Sequence, residues 1–317
     1  MKSVTILQLC YLLFFLSSCT YPRYLDIQVL NPAEVKLPQK LEKVFLIENN
    51  RLSFGAVHTP VIAYTGFLNS FNDNLKFFLL QSPLFVDSQF YVISPDSIAQ
   101  VYKKSSLDER NTYGIFTLDS LALMDSVYKL PTENGLFRPS VFEFRFSITG
   151  RFSRFSHRQN FVQLRQVDTL YWNFKDVDEL TSVFPTKKVA WTKAGEEVGK
   201  IVALKLAPYW SSEDRVLFQI RNKYMKKGYQ AYLNNNLSEA IDQWEQLAYL
   251  GTNRLSSYAS HNIAVCYEIL DDLAQSEGWL KKSIAAHPNL ITQNYLIEIK
   301  KRRNKVRMLD EQLKGVQ

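Results

Sequence analysis

GYQAYLNNNLSEAIDQW at residues 228–244 and AVCYEILDDLAQSEGWL at residues 264–280 follow one pattern. Gly228 corresponds to Ala264, Ala231 to Tyr267, Leu237 to Leu273 and Trp244 to Leu280, each pair 36 residues apart. Small residues at 228, 264 and 240 belong where two helices cross closely, while Trp244 and Tyr267 fill wider gaps. Asn234-Asn235-Asn236 and Asp271-Asp272 are turn signals, because Asn and Asp bond nearby backbone amides. Self-similarity of this kind marks stacked helical hairpins; a generic bundle of hairpins is the alternative. These positions are architectural, and no chemistry is expected of them.

From residue 214 onward glycine and proline become sparse, so 214–317 reads as an all-α domain. The spacing resembles tetratricopeptide (TPR) repeats, whose period is about 34 residues. Ser276 stands where that family usually has alanine, and Asn235 where glycine is common. The resemblance implies a concave face that binds extended peptides or other proteins. Tyr232 and Asn262 are candidates for such an interaction surface. Residues 289–315 read as a terminal helix with one apolar stripe, Tyr295, Ile299, Val306, Leu309 and Leu313. Its other faces carry Lys300, Lys301, Arg302, Arg303, Lys305 and Arg307. A solvated capping helix is expected, with attraction to anionic lipid headgroups as the alternative.

Working back from the repeats, residues 41–213 read as an α+β domain. Lys43–Ile47 is a short apolar run expected as a buried strand. Phe71, Leu75, Phe78 and Leu79 fall at helical spacing, which predicts a helix over 71–81 ended by Ser82-Pro83. Phe90–Ile93 is a second strand, followed by a short helix over 97–103 with Ser94 as cap and Pro95 in its first turn. Residues 116–129 fit strand or helix; a core strand around 119–125 is favoured. Residues 141–149 alternate, with Phe142, Phe144, Phe146 and Ile148 on one face, as a half-buried strand does. Phe161–Leu170 is its antiparallel partner, with a turn beginning at Thr149-Gly150-Arg151. Lys188–Leu206 is an amphipathic helix covering the sheet, closed by Pro208. Tyr209-Trp210 is expected to wedge between the two halves. The fold class is therefore α+β: an α/β sandwich-like domain with an antiparallel hairpin, then an all-α TPR-like repeat region.

The hairpin connection 150–159 carries Arg151, Arg154, His157 and Arg158 beside Phe152 and Phe155. Basic residues interleaved with aromatics can grip phosphate or a nucleic-acid strand; the plain structural reading is an exposed loop whose rings fold back on the sheet. Arg151, Arg154, Phe155 and Arg158 join Tyr232 and Asn262 as candidate interaction residues. A protein partner in the envelope is expected, an anionic lipid or glycan is the alternative, and nucleic acid is not. A glycan- or lipid-binding protein would show an aromatic-lined cavity near Phe152, Phe155 or Tyr171.

The setting is read from the first residues. Lys2 precedes a strongly apolar stretch, Val4–Leu16, too short for the ~20 residues of a membrane span and suited to an export signal. Leu16-Ser17-Ser18-Cys19 resembles the lipobox of bacterial lipoproteins. The resemblance implies that residues 1–18 are removed and that Cys19 is lipidated, anchoring the chain in the membrane. An ordinary secreted protein is the alternative. The segment 19–40, with Pro22, Pro32 and Pro38, is expected to be a tether. No acidic cluster follows Cys19, which in Bacteroidetes tilts the expected place to the periplasmic face of the outer membrane.

The formal charge is +7, and loss of residues 1–18 removes only Lys2, leaving +6. A moderate positive excess suits an anionic surface without requiring one. Once Cys10 is cleaved off and Cys19 acylated, Cys266 alone remains, so no intrachain disulfide can form. Cys266 is expected as buried packing.

No metal, cofactor or catalytic group is expected. The histidines, at 58, 157, 261 and 287, have no metal-ligand spacing. Neither a glycine-rich phosphate loop nor a nucleophile elbow occurs. Asp176, Asp178 and Glu179 resemble paired glycosidase carboxylates, but a solvated helix start is the simpler reading. Together, the lipobox, strand Val44–Ile47, Pro208, Trp210 and the repeat Gly228–Trp244 resemble an uncharacterised family of Bacteroidetes lipoproteins with TPR-like tails. That resemblance carries no catalytic residues. The expected function is a non-catalytic, membrane-anchored scaffold or adaptor; a glycan- or lipid-binding protein is the alternative, and a hydrolase is the least favoured reading.

Overall fold

The computed structural model describes residues 21–37, 41–48, 61–131, 139–250 and 253–314, with the backbone alone at Tyr21 and Glu48. The export signal, Cys19 and His58 lie outside the described residues. The chain forms two compact units. Among the described residues, unit A comprises those of 30–210 with 308–314, and unit B those of 21–29 with 211–307. The expected division was 41–213 and 214–317.

Strands of the chain are β1 (Tyr21–Asn31), β2 (Lys43–Glu48), β3 (Gln89–Ile93), β4 (Tyr113–Lys129), β5 (Ser140–Arg154), β6 (Phe161–Phe174) and β7 (Tyr209–Gln219). Unit A is built on a five-stranded sheet ordered β3-β2-β4-β5-β6. β2 runs parallel to both β3 and β4, whereas β4, β5 and β6 are antiparallel neighbours. The ambiguous stretch 116–129 is therefore strand throughout. Its register shifts between Leu118 and Ser120, which adds Asp119 as an extra residue and bends the strand.

Two long helices, α1 (Val61–Leu80) and α5 (Lys187–Leu206), pack on the sheet face that carries Val44, Leu46, Phe116, Phe144 and Ile148. Phe144 of β5 lies between them, with its ring centre 5.7 Å from Phe67 and 5.4 Å from Trp191. Burying each such ring contributes roughly 1.5–3 kcal/mol. The helices approach closely at Gly195 and Gly199. A Cβ at Gly199 would sit 2.5 Å from the Phe71 carbonyl oxygen, and one at Gly195 would collide with the Phe67 carbonyl oxygen and Ser70 Oγ. The Ser70 hydroxyl donates across the same crossing to the Thr192 carbonyl at 2.6 Å. α1 begins ten residues before its expected start, because β-branched Val61, Ile62 and Thr65 dilute the helical pattern there.

On the opposite sheet face, Phe45, Ile47, Tyr113, Ile115 and Phe155 form a smaller cluster, covered by Ile98 and Val101 of α2 (Ser97–Lys104). α2 has Asp96 at its cap position, not Ser94. A short helix, α3 (Leu107–Thr112), follows on a capping box between Ser106 and Glu109. β5 continues to Arg154, so Thr149-Gly150-Arg151 is strand and not the expected turn. The Cβ of any residue replacing Gly150 would press on the Phe116 ring at 2.9 Å, which explains the glycine. The acidic group opens α4 (Val177–Val183), where Asp176 Oδ1 accepts from the Glu179 amide at 2.9 Å.

Unit B holds α6 (Lys223–Leu233), α7 (Leu237–Ala248), α8 (Arg254–Ile269), α9 (Leu273–Ala286) and most of α10 (Leu290–Leu313). Their core centres on Trp244, Ala264, Cys266 and Leu280, all with no measurable exposure. Gly228 lies beneath Trp244, where a Cβ would collide with the indole. The two hairpins, α6–α7 and α8–α9, repeat in detail. Asn235 and Asp271 both have positive φ. The next residues, Asn236 and Asp272, cap α7 and α9 by accepting the amides of Glu239 and Gln275.

Several expectations fail here. The region expected to be all-α carries a two-stranded sheet, β1–β7, and residues 21–31 of the expected tether form its first strand. Leu25, Ile27 and Val29 alternate with exposed Asp26 and Gln28, the period-two pattern of a half-buried strand. Trp210 opens β7 and is 56% exposed. The last turn of α10 also departs from the solvated cap: in unit A, the Gln312 amide bonds the Ala33 backbone in both directions, at 3.0 and 2.9 Å.

Candidate interaction surfaces

Unit B presents a groove where β7 ends and α6 begins. Asn222 starts the helix by accepting the amides of Tyr224 and Met225 at 2.8 and 3.4 Å. One face of α6 then places Met225, Tyr229 and Leu233 in a row, at the i, i+4, i+8 spacing that shares a helix face. With Ile220 they line a groove of about 740 Å³. Met225 is buried, Tyr229 half-buried and Leu233 63% exposed. Arg221, Lys223 and Lys226 stand on the rim, and no carboxylate is in the lining.

Polar bonds lock the neighbouring elements of unit B together. Trp244 Nε1 donates to the Met225 carbonyl at 3.3 Å. Asn262 of α8 grips β7 as a neighbouring strand would: its Oδ1 accepts from Phe218 N at 2.8 Å, and its Nδ2 donates to Phe218 O at 2.9 Å. His261 Nε2 donates to the Val216 carbonyl at 2.9 Å, and Nδ1 accepts from the Thr292 hydroxyl at 2.9 Å. Both ring nitrogens are occupied by a neutral imidazole, and burial pushes its pKa down to about 4.

Below these lies a buried ionic cluster. Glu268 is fully buried and receives Arg215 Nε at 2.7 Å and Nη2 at 2.8 Å. The Tyr295 hydroxyl donates to it at 2.5 Å, and Arg302 Nη1 is 2.9 Å away. Burial alone would raise the Glu268 pKa, but the hydrogen bonds and charge of Arg215, with Tyr295 and Arg302, hold it below the ordinary carboxylate value. Burial and the adjoining carboxylate drive the Tyr295 pKa well up. Such a cluster fixes geometry, since removing one member leaves a buried charge unpaired. The Cys266 thiol is pushed up to about 12 by burial, so it is packing, as expected. Among the described residues, no group of three or more His, Cys, Asp or Glu is placed to hold a metal.

Unit A has a second recess, of about 590 Å³, between α2 and the β5–β6 loop. Tyr102 and Lys103 line one side, and Phe155, His157 and Arg158 the other.

The six expected interaction residues separate. Phe155 and Asn262 are each 1% exposed and offer no surface. Phe155 seats the smaller sheet cluster, and Asn262 is spent on β7. Arg151 is in β5, where Nε and Nη2 bond Asp119 at 2.7 and 2.6 Å across the bulge. Arg154 Nη1 donates to the Asn111 carbonyl at 3.3 Å. Tyr232 is half-buried and stacks on Tyr229 with centres 6.3 Å apart. Arg158 alone combines exposure with a recess. Phe152 lies in the main core at 1% exposure. The groove residues Arg221, Lys223, Lys226, Tyr229 and Leu233 were missed, although the apolar row on a lysine-rich helix is visible in the sequence.

Residues 226–302 match a family described as "Domain of unknown function (DUF6340)". The match runs from the first turn of α6 into α10 and includes both hairpins. No curated protein matches the chain. Among solved structures, the chain is similar over 54% of its length to a neuraminyllactose-binding hemagglutinin homolog from Helicobacter pylori, at 12% identity, 89% of that chain and a TM-score of 0.33. It is similar over 53% to a minor lipoprotein from Acinetobacter baumannii, at 8% identity, 97% of that chain and a TM-score of 0.28. A PelC dodecamer from Paraburkholderia phytofirmans is matched over 57%, at 9% identity, 99% of that chain and a TM-score of 0.23. Among the described residues no helix is long and apolar enough to cross a membrane.

Proposed function

We propose that this protein is a lipid-anchored adaptor of the bacterial envelope, tethered through Cys19 at the periplasmic face of the outer membrane. Its TPR-like hairpins hold an acidic, partly apolar segment of another envelope protein. The lipobox Leu16–Cys19 supports the anchor, because several acyl chains hold a protein durably to a bilayer. The repeated turns at Asn235 and Asp271 support the repeat architecture.

The observation that carries the reading is the groove of unit B. Ile220, Met225, Tyr229 and Leu233 make it partly apolar, its charged lining residues are all positive, and the backbone at Met225 is held by the Trp244 bond. Charge complementarity selects an acidic occupant and suppresses basic ones. Exposed Leu233 and half-buried Tyr229 supply the anchors that an apolar side chain would cover.

The test is isolation of the detergent-solubilised full chain from envelopes, as wild type and as Lys223→Glu/Lys226→Glu. A partner held by the wild type, released by raised salt and missing from the charge-reversed variant is the expected result. Identical co-isolating proteins for both forms would refute the groove as the docking site.

A further inference from the structure

The adaptor reading leaves the recess of unit A unused. Arg158 sits with its guanidinium carbon 4.7 Å from the Phe155 ring centre and 5.2 Å from that of Tyr102. Phe155 is buried and stacks on Tyr102 at 5.5 Å. Arg110 lies over the same Tyr102 ring at 3.8 Å, so this ring is occupied in seating cations. The loop is a tight turn, with the His157 amide donating to the Arg154 carbonyl at 3.2 Å and the Asn160 amide to the His157 carbonyl at 3.0 Å. His157 Nδ1 is 2.8 Å from Ser156 Oγ, which turns the ring within the loop.

Some cations of unit A pair with carboxylates: Arg151 with Asp119, Lys187 with Asp125 and Lys205 with Glu34. Among the described residues neither Arg158 nor Lys103 has an ion-pair partner, and no carboxylate lines the recess. A guanidinium held on a ring face keeps its N–H edge free for an oxyanion. A planar carboxylate would be served by the Arg158 fork alone. Donors arriving from a helix on one side and a loop on the other suit a tetrahedral anion with several acceptor oxygens.

We propose that this recess binds the phosphate group of a phosphate ester, with Arg158 and Lys103 as its charged donors. The same chemistry is offered by a phospholipid headgroup and by a soluble phosphate, and two probes separate them.

The experiment is calorimetric titration of the full chain in neutral detergent with inorganic phosphate and, separately, with glycerophosphoglycerol, the soluble headgroup of phosphatidylglycerol. Saturable binding of at least one probe is expected, and the tighter of the two identifies the source. Arg158→Ala/Lys103→Ala should weaken it about tenfold or more, because hydrogen bonds to charged groups are strong. Arg165→Ala, an exposed cation on β6, should leave it unchanged. Both altered side chains are exposed, and an unchanged circular dichroism melt verifies folding. Absence of saturable heat with both probes would overturn the proposal, as would equal weakening by the two variants.

Discussion

Asn235 and Asp271, 36 residues apart, share a left-handed backbone, with φ of 57° and 61°. The amides beside them make matching bonds: Asn236 N donates to Ala231 O at 2.9 Å, and Asp272 N to Tyr267 O at 2.9 Å. The sequence repeat is thus a repeat of conformation. Glycine adopts this region without a Cβ penalty, whereas most residues pay roughly 1 kcal/mol or more there. Asn235→Gly should therefore hold or raise the stability of unit B, and Asn235→Ala should lower it by about 1 kcal/mol. Urea denaturation of the two variants measures the difference.

A second prediction concerns helix crossing in unit A. Gly195→Ala drives a methyl into the Phe67 carbonyl and Ser70 Oγ. Overpacking of this kind costs roughly 1–3 kcal/mol. Gly278, in α9 of unit B, has nothing within 4 Å of the position its Cβ would take. There the same change should stabilise by roughly 0.5–1 kcal/mol through helix propensity. Thermal melts of both variants should move in opposite directions.

The pH dependence of unit B follows from His261. An unfolded histidine titrates near 6.5, whereas burial holds His261 down to about 4 in the fold. Between those values the unfolded chain binds a proton that the folded unit refuses. Stability should fall as pH drops through that window, by up to about 3 kcal/mol. His261→Gln should flatten the curve between pH 6.5 and 4 even if it lowers stability at every pH. Denaturant midpoints at a series of pH values decide it.

Glu268 acts in a lower range. Its folded pKa is depressed, so its contribution is present above the unfolded value of about 4.3 and is lost as pH falls through the folded one. At neutral pH, Glu268→Gln leaves Arg215 and Arg302 facing a neutral group. Breaking a buried pair in this way costs about 3–5 kcal/mol. A change below about 1 kcal/mol in urea would show that the cluster does not hold β7 to α8.

Much of this fold was legible because patterns of period two and 3.6 are direct consequences of burial. Phe142, Phe144, Phe146 and Ile148 marked β5, and the repeat at Gly228 and Ala264 marked the hairpins. β1 was not legible because Pro22 and Pro32, residues disfavoured within strands, flank the alternation of Leu25, Ile27 and Val29. β7 escaped because Glu213, Asp214 and Arg215 look solvated, whereas Arg215 is buried against Glu268, a partner 53 positions away. Asn262 looked like a surface residue for the same reason: its use is to complete a strand edge, which only tertiary structure reveals. Arg158 was legible as a basic residue beside an aromatic, but its companion Lys103 arrives from a different element.

The groove of unit B is tested most directly by a photo-crosslinking side chain placed at Leu233 in the living cell, with Lys281, exposed on α9, as the comparison site. The predicted result is one discrete acidic-partner adduct from position 233, absent from 281 and abolished by Lys223→Glu/Lys226→Glu in the same chain. An adduct pattern identical at the two positions, or one indifferent to the charge reversal, would contradict it.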